Sequence, residues 1–281
     1  TSPFVLKPYA NLFGIYMPDG IATFSASGVT YIITANEGDA RPDDGDILRG
    51  AALITANLTS SNATTAINNG LTRLNLLKNV GDANGDGLID QPTMMGTRSF
   101  TVWNALTGNR TYDSSSTIEN YVANNNPFTF NMNSGNMSDW DTRSDDKGPE
   151  PEALAYGSVA GRDYVFVGNE RENGIMAFDI TATTDVKVVG YFNTVTNTSD
   201  TGGSFVSPES ISFVPGDQNP TRKNLLIVGY EGTGVNGSVA VYEFRPPISG
   251  NLTITSNGTV AGRKDQPFNY AITANMPVIS Y

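Results

Sequence analysis

One short pattern occurs three times in this chain, and it restricts the possible fold more than any other feature. Each copy has a proline, an acidic residue, a small residue and an aliphatic residue, then a turn, a short apolar strand and a second acidic residue. The copies begin at Pro18, Pro151 and Pro208. Sets of three or four short antiparallel strands that recur along a chain are typical of β-propeller blades. The pattern therefore predicts an all-β fold of consecutive small sheets.

A fourth segment, residues 98–115, also has a strand–turn–strand pattern. With the three copies it predicts about four blades, of which the first two carry long insertions. Propellers close with about four to eight blades. Four blades could close alone, but we expect them to form part of a larger propeller. Residues 117–122 are expected to form one short helix.

The composition excludes several kinds of chemistry. The 281 residues include no histidine and no cysteine, which rules out disulfides, thiolate catalysis, histidine-dependent triads and His- or Cys-ligated zinc. Any chemistry must use carboxylates, Lys or Arg, hydroxyls or a bound hard cation. With 17 Lys+Arg against 28 Asp+Glu, the net charge of −11 argues against nucleic acid as a partner.

The surface composition indicates an extracellular protein. Charged residues make up only 16% of the chain, so Asn, Ser, Thr and Gly must supply much of the polar surface. No apolar run in this sequence approaches the length of a transmembrane helix. We therefore expect a secreted or cell-surface location, with no transmembrane segment in this fragment.

The C-terminal part differs from the rest. A Pro-Pro pair begins a linker at residues 246–253, and residues 254–281 resemble the start of an immunoglobulin-like repeat of large bacterial surface proteins. A complete sandwich of this type needs about 100 residues, so we expect a truncated immunoglobulin-like domain. Residues 16–245 are assigned to the propeller, and residues 1–15 to the end of a preceding blade or to a linker.

Four segments carry a resemblance to a known family. Residues 16–21, 34–41, 96–100 and 143–152 resemble the choice-of-anchor I domain, and the similarity extends over roughly residues 16–245. The family is secreted and propeller-like, and it includes mesenchyme-specific cell-surface glycoproteins of biomineralising animals. Some bacterial members carry the names alkaline phosphatase or phytase-like esterase. The resemblance implies a secreted domain of a larger protein.

Residues 82–90 match the first nine positions of a calcium-binding loop, D-x-[DN]-x-[DN]-G-x-x-D. Side-chain oxygens at alternate positions can converge on one cation, and a glycine allows the sharp turn. The predicted ligands are Asp82, Asn84, Asp86, the backbone carbonyl of Leu88, and Asp90. The twelfth position is Thr93 rather than the usual bidentate Glu. The alternative is a solvated turn without a metal ion.

The acidic residues of the repeats form a second candidate site. Equivalent positions in a propeller form a ring, so we expect them to gather at one mouth of the channel. They are Asp19, Glu37, Glu152, Glu170, Glu209 and Glu231. Such a ring requires compensating cations or basic groups. Ca²⁺ is one candidate, and the others are Arg41, Arg98, Arg143, Lys147 and Arg171.

Two functions fit these residues. The leading hypothesis is a calcium-binding bacterial propeller that acts in surface display, adhesion or matrix assembly, with other domains of its parent chain or neighbouring surface proteins as partners. The alternative is a calcium-dependent phosphoesterase acting on phosphate esters; glycans are a further candidate ligand. In that alternative the catalytic residues are Glu152, Lys147, Arg143 and Arg171. The acids could instead close the blades through backbone groups or arginines, without any ligand.

Overall fold

Short antiparallel strands dominate the fold, as the repeated pattern predicts. The computed structural model describes residues 6–41, 45–195, 203–232 and 237–247. The chain divides into two units, residues 1–244 and 245–281. The predicted immunoglobulin-like segment and most of its linker lie outside the described residues.

The described strands and helices are numbered in chain order. The strands are β1 (Phe13–Ile15), β2 (Ile21–Ala26), β3 (Val29–Ala35), β4 (Ile47–Arg49), β5 (Asn75–Leu77), β6 (Thr93–Met95), β7 (Phe100–Asn104), β8 (Arg110–Asp113), β9 (Pro151–Val159), β10 (Arg162–Asn169), β11 (Gly174–Asp179), β12 (Lys187–Asn193), β13 (Pro208–Val214), β14 (Leu225–Tyr230) and β15 (Ser238–Glu243). The helices are α1 (Gly50–Thr55), α2 (Ser61–Asn68) and α3 (Thr117–Asn125). Helix α3 confirms the short helix expected at residues 117–122.

Three antiparallel sheets form the main body. The first has the order β2-β3-β7-β8, the second β9-β10-β11-β12 and the third β13-β14-β15. In each sheet, neighbouring strands follow one another in chain order, as in a propeller blade. The all-β class is thus confirmed. A closed ring is not shown by the described residues, and the propeller stays a prediction.

Tight turns explain two of the hairpins. Ser27 and Gly28 connect β2 to β3 with φ values of 51° and 77°, and Ala160 and Gly161 connect β9 to β10 with 52° and 77°. Two successive residues with positive φ are the mark of a type I′ turn, whose twist matches that of the flanking strands. The sequence therefore fixes the register of both hairpins locally.

The fourth segment of the sequence analysis is not a sheet of its own. Strands β7 and β8 of residues 98–115 complete the first sheet, because β7 pairs with β3 from Tyr31 opposite Asn104 to Ala35 opposite Phe100. The expected count of about four blades is thus reduced to three blade-like sheets in the described part of the chain, beside two sheets of two strands each.

The sheets pack face to face through two apolar layers. Phe24, Ile33 and Phe100 of the first sheet pack with Val165 and Phe178 of the second. The opposite face of the second sheet packs against the third in a separate cluster. That cluster includes Tyr164, Phe166, Ile175, Ile211, Leu226 and Val228. The alternation of side chains along each strand thus fills both layers.

Two insertions follow β3 and β8, and the second contributes Ile118 to the first apolar layer. Residues 36–99, between β3 and β7, have a small core of their own that includes Leu53, Ile67 and Leu76. Strand β1, expected in a preceding blade or linker, pairs in parallel with β6 of this insertion. Residues 114–150 form the second insertion, which contains α3. Among the described residues, no helix is long and apolar enough to cross a membrane.

Candidate metal centre

A backbone bulge places one acid of the second repeat and one of the third. In the second sheet Pro151 lies opposite Asn169 and Ala153 opposite Gly168, so Glu152 is the extra residue. Glu209 has the same place in the third sheet, between Pro208 and Ser210. Bulges of this kind change the direction of a side chain at the end of a strand. The repeated Pro-acid-small pattern thus corresponds to a repeated local structure.

The residue before each repeat proline has an unusual backbone conformation. The φ values are 41° at Met17, 55° at Glu150 and 57° at Ser207. In the second and third copies the carbonyl oxygen of this residue accepts the N–H of Glu170 (2.8 Å) or Glu231 (2.9 Å). Non-glycine residues with positive φ are strained, and they persist only where the surrounding structure holds them in place. The strain recurs beside the acids in all three sheets.

The structure brings five of the six predicted ring acids into two overlapping groups. Carboxylate oxygens of Asp19, Glu37 and Glu152 lie within 4.8 Å of one another, and so do those of Glu152, Glu170 and Glu209. Glu152 belongs to both groups. We call these five residues the acid cluster. Glu231 is in neither group, although its charge acts on Glu209.

Glu152 lies at the centre of the acid cluster, and in the described part of the chain no basic side chain compensates its negative charge. The residue is 7% exposed, and its Oε2 atom is buried without a hydrogen-bond partner. Burial and then repulsion from the neighbouring carboxylates raise the pKa of Glu152 to about 10. Among the described residues, no Lys or Arg lies within ion-pair distance of Glu152, Asp19 or Glu209. The site therefore favours a proton or a cation at Glu152.

The predicted catalytic cations contact a different carboxylate, Glu150, which has no exposed side-chain surface. Lys147 Nζ lies 2.7 Å from Glu150 Oε2, and Arg143 Nε donates to Glu150 Oε1 at 3.1 Å. Arg171 Nε lies 3.6 Å from Glu150 Oε2. The three basic side chains therefore compensate a buried charge.

Two of these cations also reach the acid cluster. Lys147 Nζ lies 2.6 Å from Glu37 Oε1, and Arg171 Nη1 lies 2.7 Å from Glu170 Oε1. Burial raises the pKa of Glu37, and the hydrogen bond and charge of Lys147 oppose this. Burial also raises the pKa of Glu170 to about 7, against the attraction of Arg171. The two acids are thus partly compensated, in contrast to Glu152.

Two other predicted compensating residues form ion pairs elsewhere. Arg98 Nη1 lies 3.0 Å from Glu119 Oε1, and Arg41 Nη2 lies 2.7 Å from Asp46 Oδ2. Among the described residues, the charge compensation predicted for the ring thus comes from Lys147 at Glu37 and from Arg171 at Glu170.

The predicted calcium loop, residues 82–90, has a defined hydrogen-bond pattern. Asp82 Oδ1 accepts the N–H of Gly85 at 2.7 Å, and Asp82 Oδ2 accepts that of Gly87 at 2.9 Å. These bonds, the one from Gly87 above all, hold the pKa of Asp82 below its usual value. Asn84, Asp86 and Asp90 likewise accept backbone N–H groups within the loop. The loop is ordered by its own side chains.

Sequence reasoning missed the buried acids Glu150 and Glu172. Glu150 stands just before the repeat, and the basic residues at 143 and 147 were the signal that could have revealed it. Glu172 accepts hydrogen bonds from Thr129 (2.6 Å) and Tyr191 (2.7 Å) on Oε1, and its burial raises its pKa to about 7. A short polar segment after a strand gives no sequence signal for such burial.

A comparison with known families matches most of the chain that carries the acid cluster. The model of the choice-of-anchor I domain matches residues 5–183, which is more than half of the chain. The chain belongs to the choice-of-anchor I domain family. The matched part includes Asp19, Glu37, Glu152 and Glu170, whereas the third sheet lies beyond it. Membership in the choice-of-anchor I family indicates a secreted or cell-surface domain.

One similar protein is Gigasin-3a of Magallana gigas, with 35% identity over 162 residues. The matched stretch covers 53% of this chain and 57% of Gigasin-3a. The chain thus spans little more than half the length of that relative.

Proposed function

We propose that this chain is a calcium-binding domain of a secreted or cell-surface protein and acts in surface display, adhesion or matrix assembly. The observation that carries the proposal is the buried and unpartnered Oε2 of Glu152 between two groups of carboxylates. A buried carboxylate among others of like charge needs a proton or a cation. Bound calcium would hold the ends of the three sheets together.

The ligand chemistry favours Ca²⁺ among the common metal ions. All the candidate ligands are oxygens, because the chain has no His or Cys. Ca²⁺ accepts six to eight oxygen ligands in flexible geometry, whereas Mg²⁺ requires near-octahedral coordination. The acid cluster supplies many oxygens from three sheets but does not impose octahedral geometry. This arrangement therefore suits Ca²⁺ better than Mg²⁺.

We also propose Ca²⁺ at residues 82–90. The support is the loop's hydrogen bonding, which orients the side chains of Asp82, Asn84 and Asp86. The carbonyl of Leu88 and the carboxylate of Asp90 would complete the protein ligands. A cation there would stabilise the long first insertion rather than act in catalysis.

The three sheets are proposed to be blades of a propeller that has further blades in its parent protein. The outer face of the third sheet supports this, because its apolar side chains are exposed. Val239 is 68% exposed, Val241 59% and Ile227 36%. An apolar sheet face of this kind fits another sheet of the parent chain or of a neighbouring surface protein. The immunoglobulin-like segment is proposed on sequence grounds alone.

The phosphoesterase alternative is weaker. Its mechanism needs basic side chains that can face a phosphoryl group. Arg143, Lys147 and Arg171 are instead engaged by Glu150. We therefore expect no calcium-dependent hydrolysis of p-nitrophenyl phosphate or phytate. Hydrolysis that disappears in EDTA and returns with calcium would instead support the phosphoesterase function.

Thermal unfolding of the intact 281-residue chain tests calcium binding. Millimolar Ca²⁺ should raise the melting temperature by about 5–10 °C over EDTA, since ligand at 100 times Kd adds about 2.7 kcal/mol. Glu152→Gln should reduce this rise, and Asp217→Asn, which removes the same charge at an exposed residue, should keep it. Equal melting temperatures of the unsubstituted chain in Ca²⁺ and EDTA would contradict the proposal.

A further inference from the structure

The two acid groups are built alike. Each has one exposed acid, Asp19 or Glu209, and one buried acid, Glu37 or Glu170. Glu152 completes both groups. The likeness follows from the repeats, in which Asp19 and Glu209 are equivalent and Glu37 and Glu170 are equivalent.

The ion pairs repeat this likeness. Lys147 engages Oε1 of Glu37 at 2.6 Å, and Arg171 engages Oε1 of Glu170 at 2.7 Å. In each buried acid the Oε1 atom thus contacts a basic side chain. Neither cation reaches Glu152, which is 7% exposed and has its own Oε2 unpartnered.

We propose that the acid cluster holds two divalent cations and that Glu152 is the ligand they share. One cation lies among Asp19, Glu37 and Glu152, and the other among Glu152, Glu170 and Glu209. This inference rests on the proposed calcium binding and adds the number of ions and the bridging residue. The two oxygens of one carboxylate can each serve a different ion.

The charges favour two ions over one. Fully ionised, the five carboxylates carry five negative charges, and Lys147 and Arg171 are shared with the buried Glu150. A single divalent cation would leave most of this charge uncompensated, whereas two would supply four positive charges. A single ion in one group would also leave the exposed acid of the other without a partner.

A third set of neighbouring carboxylates explains why we propose two cations and not three. Oxygens of Glu37, Glu150 and Glu170 also lie within 4.8 Å of one another. The ammonium of Lys147 already lies 2.6 Å from Glu37 and 2.7 Å from Glu150. Because a basic side chain occupies the place of a metal ion there, this group holds no third cation.

Calorimetric titration with CaCl₂ measures the number of ions. The titrated protein is the intact chain with the substitutions Asp82→Ala and Asp86→Ala, which prevent calcium binding at residues 82–90. The expected stoichiometry is two. It should fall to one with Asp19→Asn and to one with Glu209→Gln, and binding should be lost with Glu152→Gln. Asp217→Asn, an exposed control of equal charge change, should keep two.

The outcomes separate the inference from the proposed function. A stoichiometry of one in the starting variant, with binding lost equally in each of the three cluster variants, would overturn the proposal that Glu152 bridges two ions. Calcium binding by the cluster would still be supported. Two ions retained with both Asp19→Asn and Glu209→Gln would also overturn the bridge. No binding at all overturns both the bridge and calcium binding by the cluster. Asp19 and Glu209 are exposed, so their variants give a result even where Glu152→Gln fails to fold.

Discussion

The backbone N–H of Gly20 donates a hydrogen bond to the carbonyl oxygen of Glu152 at 3.1 Å. This bond joins the start of the first sheet to the start of the second, beside the acid cluster. A Cβ atom at residue 20 would lie 2.1 Å from that oxygen. The small residue of the first repeat is therefore glycine, because the first and second sheets approach closely at this point.

Gly20→Ala is expected to destabilise the chain and weaken calcium binding. The added methyl group must separate Asp19 from Glu152, and overpacking of this kind costs about 1–3 kcal/mol. Urea unfolding and calcium titration measure the two effects. Gly190→Ala is the matched control, because its Cβ would make only an ordinary contact of 3.5 Å with Ala177. Equal stability of the two variants would contradict the close approach.

Lys147→Met should destabilise the chain by about 3–5 kcal/mol, because it leaves buried carboxylates without their cation. Glu37 and Glu150 both lose their contact with the ammonium. Lys223→Met removes an exposed pair with Glu243 and should cost less than about 1 kcal/mol. Similar losses for the two variants in urea unfolding would refute the structural role of Lys147.

The metal-free chain should lose stability as the pH rises from 6 to 9. The pKa values of Glu152 (about 10) and Glu170 (about 7) are raised above the ordinary 4.5. In this range the folded chain therefore binds more protons than the unfolded chain, and the free energy of unfolding falls with pH. Melting temperatures in EDTA at several pH values measure the slope.

Glu152→Gln should flatten this pH dependence, most clearly above pH 7.5. Asp217→Asn should keep the slope of the unsubstituted chain. Added Ca²⁺ should also reduce the loss, because the cation replaces the proton on Glu152. If the melting temperature changed with pH equally in the unsubstituted chain and in Glu152→Gln, the titration of Glu152 would not be the cause of the pH dependence.

Calcium should protect residues 82–90 from chymotrypsin, which can cleave after Leu88. Asp82→Ala should remove the protection, because Asp82 accepts the N–H groups of Gly85 and Gly87. Asp217→Ala serves as the control and should leave it unchanged. Cleavage after Leu88 at the same rate in Ca²⁺ and EDTA would count against a cation in the loop.

The repeated pattern was sufficient to predict the main sheets and the grouping of acids. Turn residues such as Ser27 and Gly28 fix the hairpins locally, and the repeated proline and acid correspond to a repeated bulge at Glu152 and Glu209. Local signals of this kind are readable without tertiary structure.

The sequence did not show which residues the folded chain brings into contact. Strand β7 was assigned to its own sheet because its pairing with β3 spans the whole first insertion. Arg143 and Arg171 were expected as compensation for the acid ring or, in the phosphoesterase alternative, on a phosphoryl group. The structure adds a contact of both with Glu150, which lies outside the repeated pattern. Sequence spacing does not show which buried charge a basic side chain will reach.

A crystal structure of the intact chain grown in millimolar CaCl₂, with anomalous data collected at long wavelength, tests the central claim most directly. The account predicts anomalous peaks at the acid cluster, with a calcium ion about 2.3–2.6 Å from a carboxylate oxygen of Glu152. Well-ordered side chains of Glu152 and its neighbours with no anomalous peak between them would contradict the account.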